Sequence, residues 1–274
     1  MQTLYVGNTL INDVFLGSQR MDDVLQSDSY VIEYLVVAGG ASGGGFGSLQ
    51  DGGGGGAGGL LSGSAQIVKN STYQILVGGG GNATIGTDDG APFTGPGAYG
   101  SRSYLTGSGL YIVPTGGGFG DSGGGGAAGS GGSGGGADQN SSGFGTGISG
   151  QGNNGAAGGS TFGGGGGGAG SAASGVTAGS GRASSISGTS ITYAAGGEGG
   201  TVGNGADGTA NRGNGGGGAG NGGARGIGGT GVVIIRYLGA QKGIGGTVTT
   251  DGPYTIHTFT SSGQQVSDKF TYIA

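Results

Sequence analysis

Apolar residues in this chain come in short runs, and long stretches between the runs carry almost none. YVIEYLVVAGG (30–40), TYQILVGGG (72–80) and GTGVVIIRYLG (229–239) are rich in β-branched and aromatic residues and predict strands. GLYIVP (109–114) and TSITYAA (189–195) predict shorter ones. YTIHTFTSSG (254–263) alternates as a strand running into a turn, and DKFTYIA (268–274) reads as a last strand. GAQKGIGGTVTTDG (239–252) reads as a linker. The first 25 residues contain a repeat: LYVGNTLINDV (4–14) aligns with VFLGSQRMDDV (14–24) at a ten-residue offset. Two such units of small strands bury little surface alone, so the module is expected to lean on a partner. Tyr5, Val6, Phe15 and Leu16 are its candidate attachment residues.

Between the apolar runs, composition changes the picture. Glycine supplies 85 of 274 residues and proline only 4, which argues against a collagen triple helix. Residues 117–135 contain glycine at every third position (117, 120, 123, 126, 129, 132 and 135), and residues 217–229 repeat the pattern. A three-residue period is that of the polyproline-II helix, which makes no hydrogen bonds within itself. A glycine edge lets a second backbone approach closely enough to exchange N–H···O=C bonds. The expected fold is therefore mainly β with a glycine-rich core. In it a polyglycine-II helix bundle is framed by strands, with the β-repeat module in front and essentially no α-helix. An ordinary β-sandwich with long glycine loops is the alternative. A large side chain at Gly126 or Gly223 should abolish folding of the bundle. The boundaries expected are 1–28 for the repeat module, 29–239 for the glycine-rich domain and 240–274 for a C-terminal β segment.

Charge and chemistry narrow the function. The net charge is −5 and Lys/Arg residues do not cluster, so a nucleic-acid partner is not expected. No apolar stretch is long enough to insert in a membrane, and residues 1–11 lack the features of a secretory signal. Export by host lysis would suit such a chain. Cysteine is absent, which excludes disulfides and thiolate metal sites. His257 is the single histidine and alternates within an expected strand, where it reads as a packing or surface residue. No triad, P-loop or tandem calcium repeat is present, so the reading is a non-enzyme with no cofactor and no metal. Asp22–Asp23 and Asp88–Asp89 are adjacent pairs, whose members point to opposite faces of a strand.

The aromatic residues suggest recognition. Residues 82–111 are poorer in glycine and carry Phe93, Tyr99, Tyr104 and Tyr111 with Arg102 among them, and Phe144 and Phe162 punctuate later runs. Tyrosine and arginine suit binding surfaces because they offer large contact area with few rotors. These seven residues are the candidate receptor contacts. The competing reading makes them hydrophobic plugs at the ends of the bundle.

YLVVAGGASGGG (34–45), the GGGGAGG-type runs (53–59 and 215–220) and GGTGVVIIRY (228–237) together resemble the glycine-rich domain of bacteriophage structural and tail-fibre proteins. YTIHTFTSSG and the N-terminal repeat resemble elements that accompany that domain. GQQVSDKF follows SSG where the family continues with an apolar strand. The glycine architecture is also similar to the polyglycine-II adhesins at the tips of T-even-like phage tail fibres. The resemblance implies a virion fibre or adhesin that presents loops on a rigid scaffold for attachment to the host surface. The alternative is a capsid or tail decoration protein without receptor binding. Implied partners are other virion proteins at the N-terminal module and a bacterial surface protein or glycan, with several copies or a homo-oligomer on the particle.

Overall fold

A computed structural model describes residues 4–6, 9–11, 15–16, 19–20, 29–45, 50–82, 97–123, 127–261 and 266–273. The N-terminal repeat forms two antiparallel hairpins at its ten-residue offset. β1 (Leu4–Val6) pairs with β2 (Thr9–Ile11), and β3 (Phe15–Leu16) pairs with β4 (Gln19–Arg20). Tyr5 stands opposite Leu10 and Phe15 opposite Arg20.

Each strand predicted from an apolar run is present. All but the one at 189–195, which forms a separate hairpin, belong to two five-stranded antiparallel sheets, whose facing sides enclose one core. β5 (Ser29–Val37) is paired on one side with β6 (Leu60–Val68) and on the other with β12 (Val232–Leu238). β15 (Tyr254–Phe259) and β14 (Thr247–Asp251) complete that first sheet. In the second sheet, β7 (Thr72–Val77) lies between β16 (Val266–Tyr272) and β8 (Tyr104–Gly107). β9 (Leu110–Ile112) and β13 (Gly243–Ile244) form its edges. The expected linker at 239–252 is thus corrected: it supplies β13 and β14. The C-terminal segment gives strands to both sheets.

The run Val232–Val233–Ile234–Ile235 is apolar throughout because both faces of β12 are covered. Val233 and Ile235 face the core between the sheets with Ile32, Val36, Ile75 and Phe270. Val232 and Ile234 face a second cluster with Leu35, Leu60, Tyr193 and Ile256. The hairpin of β10 (Arg182–Ser184) and β11 (Ile191–Tyr193) contributes Tyr193 to that cover. His257 is fully buried in the inter-sheet core. It is stacked on Tyr237 and edge-on to Phe270, which bears out the packing reading.

The glycine runs form a hydrogen-bonded lattice. Along residues 52–59, successive N–H groups donate in three directions and return to the same neighbour every third residue. Gly53, Gly56 and Gly59 donate to Asp121, Gly118 and Thr115, Gly54 and Ala57 to Gly164 and Gly167, and Gly55 and Gly58 to Gly216 and Gly213. Three further segments donate into the same helix. Ala38, Ala41 and Gly44 bond the carbonyls of Gly59, Gly56 and Gly53, Ser133 and Gly136 those of Ala57 and Gly54, and Gly197 and Gly200 those of Gly55 and Gly52. Six neighbours with a three-residue repeat are the hydrogen-bond pattern of polyglycine II. Residues 38–44 are enclosed in the same way, through bonds with segments near 53–59, 98–101, 226–229, 117–120, 216–219 and Gly81. The core of this region is backbone, and glycine is required there by closeness rather than by unusual φ. A Cβ at Gly53, Gly54, Gly55 or Gly56 would fall against a carbonyl oxygen of a neighbouring helix, well inside 3.0 Å.

Two details differ from the sequence reading. The glycine series 117–135 spans three passes of the chain, 115–121, 128–132 and 133–138: Gly123 turns out of the first with φ +85°, and the chain reverses at 132–133, so that Gly135 N–H bonds Gly129 O. The series 217–229 likewise crosses a turn at Gly222, with φ +73°. The three-residue frame is also not confined to one edge, because a helix with six neighbours excludes side chains on nearly every side. Gly126 lies outside the described residues, whereas a Cβ at Gly223 would meet the carbonyl of Gly203.

Candidate functional site

The lattice has two poles. β5, β7 and β12 join it at Ala38, Gly78 and Gly231, and β6 leaves it at Leu60, so the sheets occupy one end. Gly44 and Asp121 lie at the other, where the turns after Asp138, Gly158, Gly200 and Gly220 gather. Side chains tie these turns together. Gln139 donates its amide N–H to Asp51 O and its Nε2 to Ser160 O, and its Oε1 accepts from Asp51 N. Asp51 Oδ1 accepts from Asn221 N at 3.1 Å. Asn140 adopts φ +61° at the tip of its turn, as asparagine tolerates. Val202 is 88% exposed at this pole.

Asp121 and Asp138 are both buried here. Burial, reinforced by the neighbouring Asp138 carboxylate, pushes the Asp121 carboxyl up to about 6, against the opposing pull of the Ser122 N–H. Asp121 Oδ2 has no hydrogen-bond partner among the described residues. Two facing carboxyl groups are best accommodated when one carries a proton. Asp121 therefore stabilises the fold fully below its unfolded value of 3.8, and that stabilisation is lost as pH rises through about 6. Asp121→Asn is expected to raise the melting temperature at pH 7.5 and to leave it no higher than wild type at pH 4. Thermal melts at the two pH values test this, and an equal or lower melting temperature at pH 7.5 would refute it.

The candidate receptor residues do not form one loop. Phe93 lies outside the described residues. Tyr104 opens β8 opposite Leu76, and Tyr111 stands in β9 opposite Thr106, so both belong to the second sheet. Tyr111 is 81% exposed, and Arg102 is exposed just before β8. Tyr99 stands on the flank of the lattice, 55% exposed and edge-on to Phe119 at 4.8 Å. Both rings bracket Gly129, where a Cβ would strike them. Ala128 donates to Gly143 O, which brings exposed Phe144 to the far side of the same segment. Phe162 lies at the loop pole with its ring over Gly159. The lattice thus brings Tyr99 and Phe119 together, sets Phe144 across the 128–131 segment from them, and separates Tyr104 and Tyr111 from all three. Gln139, Asn140, Thr201, Val202 and Asn221 were not singled out in the sequence. Only their turn chemistry, such as Asn-Gly at 221–222, marked them.

A glycine-rich domain model matches residues 22–238. The chain belongs to the glycine-rich domain family. The match stops at the end of β12, while the strands that complete both sheets of this glycine-rich protein follow it. No curated protein and no solved structure matches the chain.

Proposed function

We propose that this glycine-rich protein is a bacteriophage fibre or adhesin that attaches the virion to the host surface. The observation that carries the reading is its polarity. β5 enters at Ser29, at the end of the sheets remote from the lattice, and the turns gather at the opposite end of the molecule. A chain held at its N-terminal hairpins would present those turns outward. Loops on a rigid support are where binding residues concentrate, and several copies on one particle multiply weak contacts. Exposed Tyr99, edge-on to Phe119, and exposed Phe144 add aromatic contact area.

Purified protein is expected to compete with phage particles for adsorption to host cells in a dose-dependent manner. Tyr99→Ala with Phe144→Ala should weaken the competition about tenfold, the scale of one lost aromatic anchor. Correctly folded protein that binds particles and never blocks adsorption would overturn the reading and support a decoration role.

A further inference from the structure

Residues 213–220 form a third interior helix, and its hydrogen bonds show which of its sides are used. Its N–H groups go to three neighbours: Gly216 and Ala219 to Ala41 and Gly44, Gly215 and Gly218 to Ala195 and Glu198, and Gly217 and Gly220 to Ala206 and Gly203. Its carbonyls accept from two others. Gly58, Gly55 and Gly52 bond Gly213, Gly216 and Ala219, and Gly229 and Gly226 bond Asn214 and Gly217. Five of the six lattice positions around this helix are therefore filled by the described residues of this chain. The remaining carbonyls, Gly215 O and Gly218 O, accept no N–H from the described residues, although both glycines are buried. They stand three residues apart and open between the 195–200 and 203–208 helices. A groove of about 270 Å³ lies there, lined by Glu198, Thr201, Asn204, Ala206, Asp207 and the 214–218 backbone, among others.

We propose that this groove is a docking site for an extended glycine-rich segment of another protein, which would complete the lattice as a sixth polyglycine-II helix. Three features select that occupant. The two acceptors repeat every third residue, which matches the N–H spacing of a three-fold helix and of no β-strand. The floor of the groove, around Gly215, Gly217 and Gly218, is glycine backbone, so side chains that the occupant turned towards it would collide as they would within the lattice. Glu198 and Asp207 line the groove with no lysine or arginine among the lining residues, which favours a segment with basic outward positions. The net charge of −5 disfavours a second copy as the source. Backbone pairing of this kind is the polyglycine counterpart of strand addition at a sheet edge. The inference does not depend on the attachment reading.

The test is binding of two synthetic peptides of equal charge, (Gly-Gly-Lys)3 and (Ala-Ala-Lys)3, to the full chain by calorimetry and amide shift mapping. The glycine peptide is expected to bind at least about tenfold more tightly, the effect of losing some 1.4 kcal/mol of backbone contact. It should shift the amides of residues 196–209 and 214–218. Ala206→Trp, at an exposed wall position, should weaken it by a similar factor. Equal binding of the two peptides would reduce the effect to charge and overturn the proposal. Binding unaffected by Ala206→Trp, or no binding at millimolar peptide, would do the same. Sedimentation showing a dimer that Ala206→Trp dissociates would assign the groove to a second copy instead.

Discussion

Gly54→Val is expected to yield no folded, soluble protein. Gly54 sits in the middle of the 52–59 helix, which six neighbours surround. A Cβ there would lie against the carbonyl oxygens of Gly197 and Glu198, and both are backbone. A side chain can usually rotate away from a clash, but a lattice of main chains can relieve it only by parting helices. Parting them breaks several N–H···O=C bonds whose groups are buried, each costing about 1–3 kcal/mol. The expected loss exceeds about 4 kcal/mol, comparable to the whole stability of a domain. Gly222→Ala is the control. A Cβ at Gly222 meets nothing within 4 Å, and only its φ of +73° opposes the substitution. That cost is about 1 kcal/mol. Circular dichroism and denaturant titration of the two variants separate the cases. A Gly54→Val protein that unfolds at the wild-type midpoint would show that the backbone core is not close-packed as described.

Tyr237→Phe is expected to destabilise the sandwich by about 3 kcal/mol, because one hydroxyl satisfies three groups, two of them fully buried. Tyr237 Oη accepts from Lys242 N at 2.9 Å and Gly243 N at 3.1 Å, and lies 2.9 Å from His257 Nε2. His257 Nδ1 lies 2.8 Å from Gly245 O. A hydroxyl that accepts two N–H bonds donates its own proton, so Nε2 is the acceptor and Nδ1–H donates to Gly245. The imidazole is neutral, and burial pushes its pKa below 6.5, against the pull of the Gly245 carbonyl. The unfolded chain then binds the proton more readily. Stability from this group is complete above about 6.5 and falls as pH drops towards the lower folded value, by up to about 1.4 kcal/mol per pH unit. Asp121 acts in the opposite sense over part of that window. Urea midpoints from pH 7.5 to 4.5 should therefore fall more steeply in Asp121→Asn than in wild type. A parallel pair of curves would show that Asp121 is not protonated in the folded protein.

How much of this could be read from the sequence differs between the parts. The strands were legible because β-branched and aromatic residues cluster only where two faces are covered, as in Val232–Ile235 and Leu35–Val37. β6 escaped notice because Ser62 and Ser64 face away from the core, and Gly63, on the same side as Leu61, Ala65 and Ile67, is small because the Tyr34 ring lies over it. β14 escaped because an exposed edge strand such as TVTTD carries no apolar signature. The pairing of Tyr99 with Phe119, and the place of Phe144 across the 128–131 segment, could not be seen, since the lattice alone sets 97–101 beside 115–121 and 143–145 beside 128–135.

The sequence by itself determined that a backbone core was possible. Near-continuous glycine and alanine in the runs removes the side chains that would keep helices apart, and the apolar strands that frame the runs supply the burial that glycine cannot. Only the tertiary structure decided which helix neighbours which. Every N–H in a glycine run is chemically alike, so one run carries no label for its partner. The order is imposed by the sheets, which fix where each helix enters at Ala38, Gly78 and Gly231, and by the turns at the far pole.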